Sequence, residues 1–257
     1  MKQITIIDQD DSNEITLYDA GEESILREFE GFEYPEVKSV IEDVAGKKSA
    51  VHVANKFGRR NMSIIGDIVG SDIFTARRNL LALLRQTGSM KLIKLTTYDD
   101  LLLQCEADIT KVVAPYTHTI HNFLIEMVAP DWRFYSQTEH TNLSADSSQV
   151  INNAGTERTE PVFRIYGPFT SVTLINNSNA EEFTLEYGVY GVDEGDYIEV
   201  DCLNRTVMLN GITPIYSAFS GEFFSILPGN NTISFIPIGG SAATQLRTKW
   251  RDAYNGI

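Results

Sequence analysis

From Tyr187 to Phe235 the chain breaks into short alternating stretches separated by turn residues, and that pattern leaves little choice of fold. Ile198 and Val200 alternate with Glu199 and Asp201, and Val207 and Leu209 with Met208 and Asn210. Each stretch can therefore give one face to a sheet. Gly195-Asp196 precedes the first stretch, and Leu203-Asn204-Arg205 closes a hairpin in which Asn204 tolerates positive φ. Asn210-Gly211 and Pro228-Gly229 mark two further turns. Nothing in this stretch reads as chemically reactive. The pattern is that of a β-sandwich built as a scaffold.

A chain of 257 residues is long enough for one large domain or two of about 100–150 residues, each with its own core. Thirteen Phe and eleven Tyr, with frequent Val, Ile and Thr, favour strands over helices. No apolar run reaches the ~18 residues that a bilayer requires. The first ten residues are too short and too acidic a stretch for a signal peptide. Cys105 and Cys202 fall in different halves, and a disulfide between them is not expected.

The net charge of −14 argues against sequence-independent nucleic-acid binding as the main task. Its distribution is more telling. Residues 1–45 hold 13 acids and 3 bases, whereas residues 46–94 hold 2 acids and 10 bases. Two readings fit this split: internal pairing of neighbouring segments, or head-to-tail contact between identical subunits around a closed ring.

Early strands are expected over Ile4–Ile7, Ile15–Tyr18 and Met62–Val69. Between Pro35 and Arg60, the stretch containing Gly46, Lys47, Lys48 and Gly58 reads as an extended hairpin or loop that emerges from the sheet. One helix is expected from Asp72 to Thr87, with Ser71 as N-cap and Gly88 as terminator. Ile73, Ala76, Leu80, Leu83 and Leu84 share one face, with Arg77, Arg78 and Arg85 largely off it. Further strands follow over Lys91–Thr96, Leu101–Asp108, Lys111–His118 and His121–Met127. Residues 136–149, poor in apolar side chains, read as a crossover between domains 1–135 and 150–257.

The order of these signatures resembles siphophage distal tail (Dit) proteins. The second half, from Gly195-Asp196-x-Ile198 through Val207-x-Leu209-Asn210-Gly211 to Phe223-Phe224-x-Ile226-Leu227-Pro228-Gly229, resembles that family's galectin-like domain. Phe32–Val37, Arg59-Arg60-x-Met62 and Arg77-Arg78-Asn79-Leu80-Leu81 resemble its ring-forming domain more loosely. The resemblance implies a mainly β protein: an α+β first domain, with one amphipathic helix on a β-sandwich or split barrel, then a galectin-like β-sandwich. It further implies a hexameric ring in the virion, at the tail tip or baseplate, of a protein made in the bacterial host cytoplasm. The ring would join the tail tube protein to the tail-tip protein, pass DNA through its lumen and hold receptor-binding proteins on its sandwiches. No membrane partner, metal or cofactor is implied. Lys47, Lys48, Arg59, Arg60, Arg77 and Arg78 are the candidate intersubunit contacts. Gly195, Asp196, Asn210, Gly211, Pro228 and Gly229 form the structural turn motif.

Catalytic constellations are absent from the sequence. His118 and His121 sit three apart in a strand-forming context, where they face opposite sides, and no metal-site spacing surrounds them. The Asp8–Asp19 stretch has Asn13 where a calcium loop needs glycine and Asp19 where it needs glutamate. Asp193, Glu194, Asp196, Glu199 and Asp201 form a carboxylate cluster, the only material for a glycan-cleaving activity. A carbohydrate-binding module for host wall polysaccharide is the main alternative to the tail hub. Its candidate motif, His140-Thr141-Asn142-Leu143-Ser144, lacks the Pro-Arg continuation of a galectin site, and Trp250 lies near the end of the chain. Fold alone does not carry a lectin function.

Overall fold

The computed structural model describes residues 1–7, 14–18, 24–43, 50–69, 72–83, 90–115, 121–188 and 191–257. The chain forms two compact units: Met1–Gln137 together with Asn255–Ile257, and Thr138–Tyr254. The first unit is thus interrupted by the second, and its last three residues come from the far end of the sequence.

In the first unit, strands β1 (Gln3–Ile7), β2 (Glu14–Tyr18) and β3 (Ser24–Glu30) precede a two-stranded ribbon, β4 (Val37–Asp43) and β5 (Ala50–Phe57). Strand β6 (Arg60–Ile68) leads to helix α1 (Ile73–Leu83), then to β7 (Lys91–Thr96), β8 (Leu102–Val113), β9 (Asn122–Ala129) and β10 (Phe134–Ser136). The main sheet runs β10-β8-β7-β1-β2-β3-β6-β9, and a further pairing of β8 with β9 closes seven of these strands on themselves. Alternation explains the interior, because every second residue of β6, β7 and β9 points inward. Ile4, Ile6, Ile64, Ile93, Leu95, Leu103 and Ile125 are fully buried there.

Three local expectations change. The two strands expected over Leu101–Asp108 and Lys111–His118 are joined as one long β8, Leu102–Val113, whose pairing with β9 slips between Ile109 and Lys111, while residues 116–118 lie outside the described residues. This bulge lets a single strand serve two neighbours. Residues Ser24–Glu30, not expected as a strand, form β3. The helix is capped by Asp72, whose Oδ1 accepts from the Thr75 amide at 3.0 Å and whose carbonyl accepts from Ala76 at 3.1 Å. Hydrogen bonding from Thr75 holds the Asp72 carboxyl below its ordinary pKa. Ser71, Leu84, Arg85, Thr87 and Gly88 lie outside the described residues. Leu80 anchors α1, which packs on β2 and β6.

The second unit is a sandwich of two antiparallel sheets. Its strands are β11 (His140–Ser144), β12 (Ser148–Asn153), β13 (Val162–Tyr166), β14 (Ser171–Asn176), β15 (Glu181–Glu186) and β16 (Tyr197–Asp201). They continue as β17 (Thr206–Leu209), β18 (Thr213–Pro214), β19 (Phe219–Gly221), β20 (Gly229–Ile238) and β21 (Gln245–Trp250). One sheet runs β11-β21-β13-β16-β17-β18 and the other β12-β20-β14-β15-β19. Residues 136–149 are therefore not a linker. They supply the end of β10, the edge strand β11 and the start of β12, and the break between units falls at Gln137/Thr138. Phe163, Phe183 and Phe224 meet at the centre of the sandwich, with ring centroids 5.0–5.9 Å apart.

The expected turns hold the sandwich together in a specific way. Asn210 and Gly211 both take positive φ, 53° and 69°, and the Ile212 amide bonds back to the Leu209 carbonyl. That is the hairpin geometry an Asn-Gly pair favours. The Asn210 side chain also accepts from the Tyr197 amide and donates to Asp196, both at 2.9 Å. At the other hairpin, positive φ falls on Arg205 (54°) rather than Asn204. Asn204 instead donates its amide and side chain to Asp201.

Three fully buried asparagines, Asn153, Asn176 and Asn231, do work that the sequence did not reveal. Asn231 is the clearest case. Its side chain accepts from the Leu227 amide at 2.9 Å and donates to the carbonyls of Leu227 (2.7 Å) and Gly229 (3.0 Å). It thus fixes the Pro228-Gly229 turn, where Gly229 sits at φ 86°. Asn231→Ala leaves these partly buried backbone groups without their partner and is expected to destabilise the sandwich by about 2–3 kcal/mol. Chemical denaturation followed by Trp250 fluorescence measures this; a loss below about 0.5 kcal/mol, the level of ordinary surface substitutions, contradicts it.

Candidate assembly surfaces

Of the six basic residues expected at an intersubunit contact, Arg60 belongs to the interior. It is 3% exposed, and its guanidinium donates to four backbone carbonyls. Nε reaches Trp132 at 2.7 Å, Nη1 reaches Gly31 at 2.8 Å and Glu33 at 2.5 Å, and Nη2 reaches Asn255 at 2.8 Å. The Phe134 ring lies 4.5 Å beneath it. Burial lowers the Arg60 pKa, and the carbonyl cradle compensates the charge. Arg60 is therefore withdrawn from the candidate contacts.

The remaining five divide by position. Arg59 is exposed beside Arg60. Arg77 is half-buried, and its Nε donates to the Ala114 carbonyl at 2.8 Å. Arg78 is exposed and its Nε bonds to Phe74 on its own helix at 3.3 Å. Lys47 and Lys48 lie outside the described residues. The acidic and basic segments are neighbours within the fold: β3 pairs with β6 and β4 with β5. Arg27 and Asp67 form an ion pair across β3 and β6.

The β4–β5 ribbon is a separate two-stranded sheet. Its root carries an aromatic row: Tyr34 meets Phe57 edge-on at 6.0 Å, and Phe57 stacks on Trp132 at 4.2 Å. Behind Trp132, Arg133 grips Asp131 through Nε at 3.1 Å and Nη2 at 2.9 Å, and the Tyr135 hydroxyl donates to the same carboxylate at 2.7 Å. Burial pushes the Asp131 pKa up, but these bonds and the Arg133 charge outweigh it, and the carboxyl stays below its ordinary value. Tyr34 is 60% and Ile41 63% exposed, so apolar surface is left open at the root and along the ribbon.

Carboxylates of the 193–201 cluster do not converge on a reaction centre. Glu199 pairs with Arg164, whose guanidinium lies 5.0 Å over the Tyr197 ring. Asp196 and Asp201 are engaged by Asn210 and Asn204, while Asp193 and Glu194 are exposed. As alternation required, Ile198 and Val200 are buried and Glu199 and Asp201 face outward. Among the described residues no His, Cys, Asp and Glu group has the arrangement of a metal site. Asp8, Asp10, Asp11, Asn13, Asp19 and His118 lie outside those residues. Cys105 and Cys202 are buried free thiols; burial pushes Cys105 up to about 12 and raises Cys202 as well. Among the described residues no helix is long and apolar enough to cross a membrane.

His140 and Trp250, which seemed remote in sequence, are cross-strand partners on β11 and β21. Their rings stack at 5.2 Å, His140 Nε2 lies 2.9 Å from Asp252 Oδ2, and Trp250 Nε1 donates to the Asn152 carbonyl at 3.0 Å. Imidazole and indole are used to fasten the edge strand. One face of the Trp250 ring is taken by His140.

Residues 154–254 match the family described as "Siphovirus-type tail component, C-terminal domain". Over both units, the fold is similar to the crystal structure of the Dit protein of phage SPP1, described as a paradigm of the hub adsorption apparatus in phages infecting Gram-positive bacteria. That likeness has a TM-score of 0.68 at 15% identity and covers 97% of this chain and 98% of that one. Chains of the phage P2 baseplate in its activated conformation are also similar, at a TM-score of 0.53 and 8% identity with Ca and 0.52 and 9% with Sr. Both cover 100% of each chain. No curated protein matches by sequence. Residues 154–254 thus match the siphovirus-type tail component C-terminal domain, and the chain as a whole is similar in fold to the Dit protein of phage SPP1.

Proposed function

We propose that this protein is a structural component of a long-tailed phage virion, the distal hub that joins the tail tube to the tail-tip or baseplate proteins. The observation that carries the reading is the conjunction of a family match within the sandwich with a likeness to the SPP1 Dit protein across both units. In this reading the first unit closes a six-fold ring around a lumen for DNA, and the sandwich offers a surface to receptor-binding proteins. The work is geometric and no residue is catalytic. The engaged carboxylates of Asp196, Glu199 and Asp201 accord with that. Gold-labelled antibody against the protein is expected to mark the distal end of the tail in virions. Label along the tube or on the capsid contradicts a hub.

Ring closure is assigned to the ribbon and the surface near Arg59. An isolated two-stranded hairpin is marginally stable in water, and a neighbouring subunit that covers Tyr34 and Ile41 would complete its packing. Among the described residues, exposed Arg59 and Arg78 are the candidate basic contacts left to face an acidic neighbour. Raising salt from 0.1 to 1 M shortens the screening length from about 10 Å to about 3 Å, so the ring is expected to loosen across that range. Arg59→Glu is expected to shift the midpoint to lower salt, read by sedimentation. A ring indifferent to both removes charge from the account of assembly but leaves the ring itself untouched.

A further inference from the structure

The four carbonyls that Arg60 holds come from three places with distinct roles. Gly31 and Glu33 lead into β4 of the ribbon, Trp132 lies on the segment that carries the chain toward the second unit, and Asn255 is the first residue after the chain returns from it. All belong to the first unit. The returning tail also lies directly on the ribbon root: the Ile257 amide donates to the Phe32 carbonyl at 3.1 Å, and a Cβ on Gly256 would come within 2.7 Å of the Glu33 backbone. Phe57, the last residue of the ribbon, stacks on Trp132 and stands three positions before Arg60 itself.

A guanidinium is a rigid planar fork, so its donors cannot follow their acceptors independently. If the ribbon root shifts, Arg60 must either drag the Trp132 and Asn255 carbonyls with it or release them. We propose that Arg60 is a coupling node through which displacement of the β4–β5 ribbon is transmitted to both segments, 131–137 and 255–257, that connect the first unit to the second. The coupling is a property of the free chain and does not depend on what covers the ribbon. It also runs both ways, since coupling between two sites is reciprocal.

Hydrogen exchange on the full-length protein, kept as single chains at high salt, tests this. Gly256→Ala presses the tail away from Glu33 without touching Arg60. Exchange is expected to rise about tenfold, within the usual range for coupled sites, in peptides covering 37–57 and 131–137, with β1 and β7 unchanged. In the reciprocal arm, Phe57→Leu loosens the ribbon root and is expected to raise exchange at 255–257. On an Arg60→Lys background, which keeps the charge but loses the fork, each remote effect is expected to vanish. Three results each overturn the proposal: effects confined to the neighbours of the substituted residue, equal remote effects on both backgrounds, or a uniform rise over the whole first unit.

Discussion

Arg60→Met is expected to lower the unfolding free energy of the first unit by about 3–5 kcal/mol while leaving the sandwich transition where it was. The side chain is replaced by an apolar one of comparable length, so packing on Phe134 is largely kept and the loss falls on four charge-assisted hydrogen bonds. Gly31, Trp132 and Asn255 are only partly buried and Glu33 is exposed, so water recovers part of each loss. That is why the expected effect is well below four full orphaned-carbonyl penalties. The loss is still a large share of the 5–15 kcal/mol that a domain has in total. Denaturant unfolding of the full chain, with separate probes for the two units, reads the shift directly. A first-unit transition moved by less than 1 kcal/mol contradicts the role assigned to Arg60.

Phe163→Ala is expected to do the converse, destabilising the sandwich by about 3–5 kcal/mol and sparing the first unit. Phe163 is fully buried between Phe183 and Phe224, each within 6 Å by ring centroid, and it sits in the middle strand β13 with β16 on one side and β21 on the other. A cavity there is walled by paired strands on both sides and has little room to collapse. The same two-probe experiment measures it. Loss of both transitions together would show that the two units are one cooperative body rather than two.

What could be read from the sequence was local. Strands β16 and β17 and the Asn210-Gly211 and Pro228-Gly229 turns are written in period-two alternation and in residues that accept positive φ, and the fold uses them as written. Edge strand β11 was invisible for a physical reason. Its residues are all intermediate or exposed, so it carries no apolar alternation, and only its pairing with β21 makes it a strand. Arg60 could not be recognised either, because its acceptors lie up to 195 residues away in sequence. The buried asparagines were hidden in the same way. Asn176 opens the polar run Asn176-Asn177-Ser178, yet its side-chain amide donates to the Ser225 carbonyl inside the sandwich. Arg59-Arg60 looked like one basic patch, and the two side chains have opposite fates because neighbouring strand residues point to opposite faces.

The central claim, a ring-forming tail hub, is met most directly by the mass of the purified full-length protein in solution. Sedimentation equilibrium at low salt is expected to give six times the 28.8 kDa of one chain, with dissociation as salt is raised. A mass of 28.8 kDa at every concentration and at low salt would contradict it.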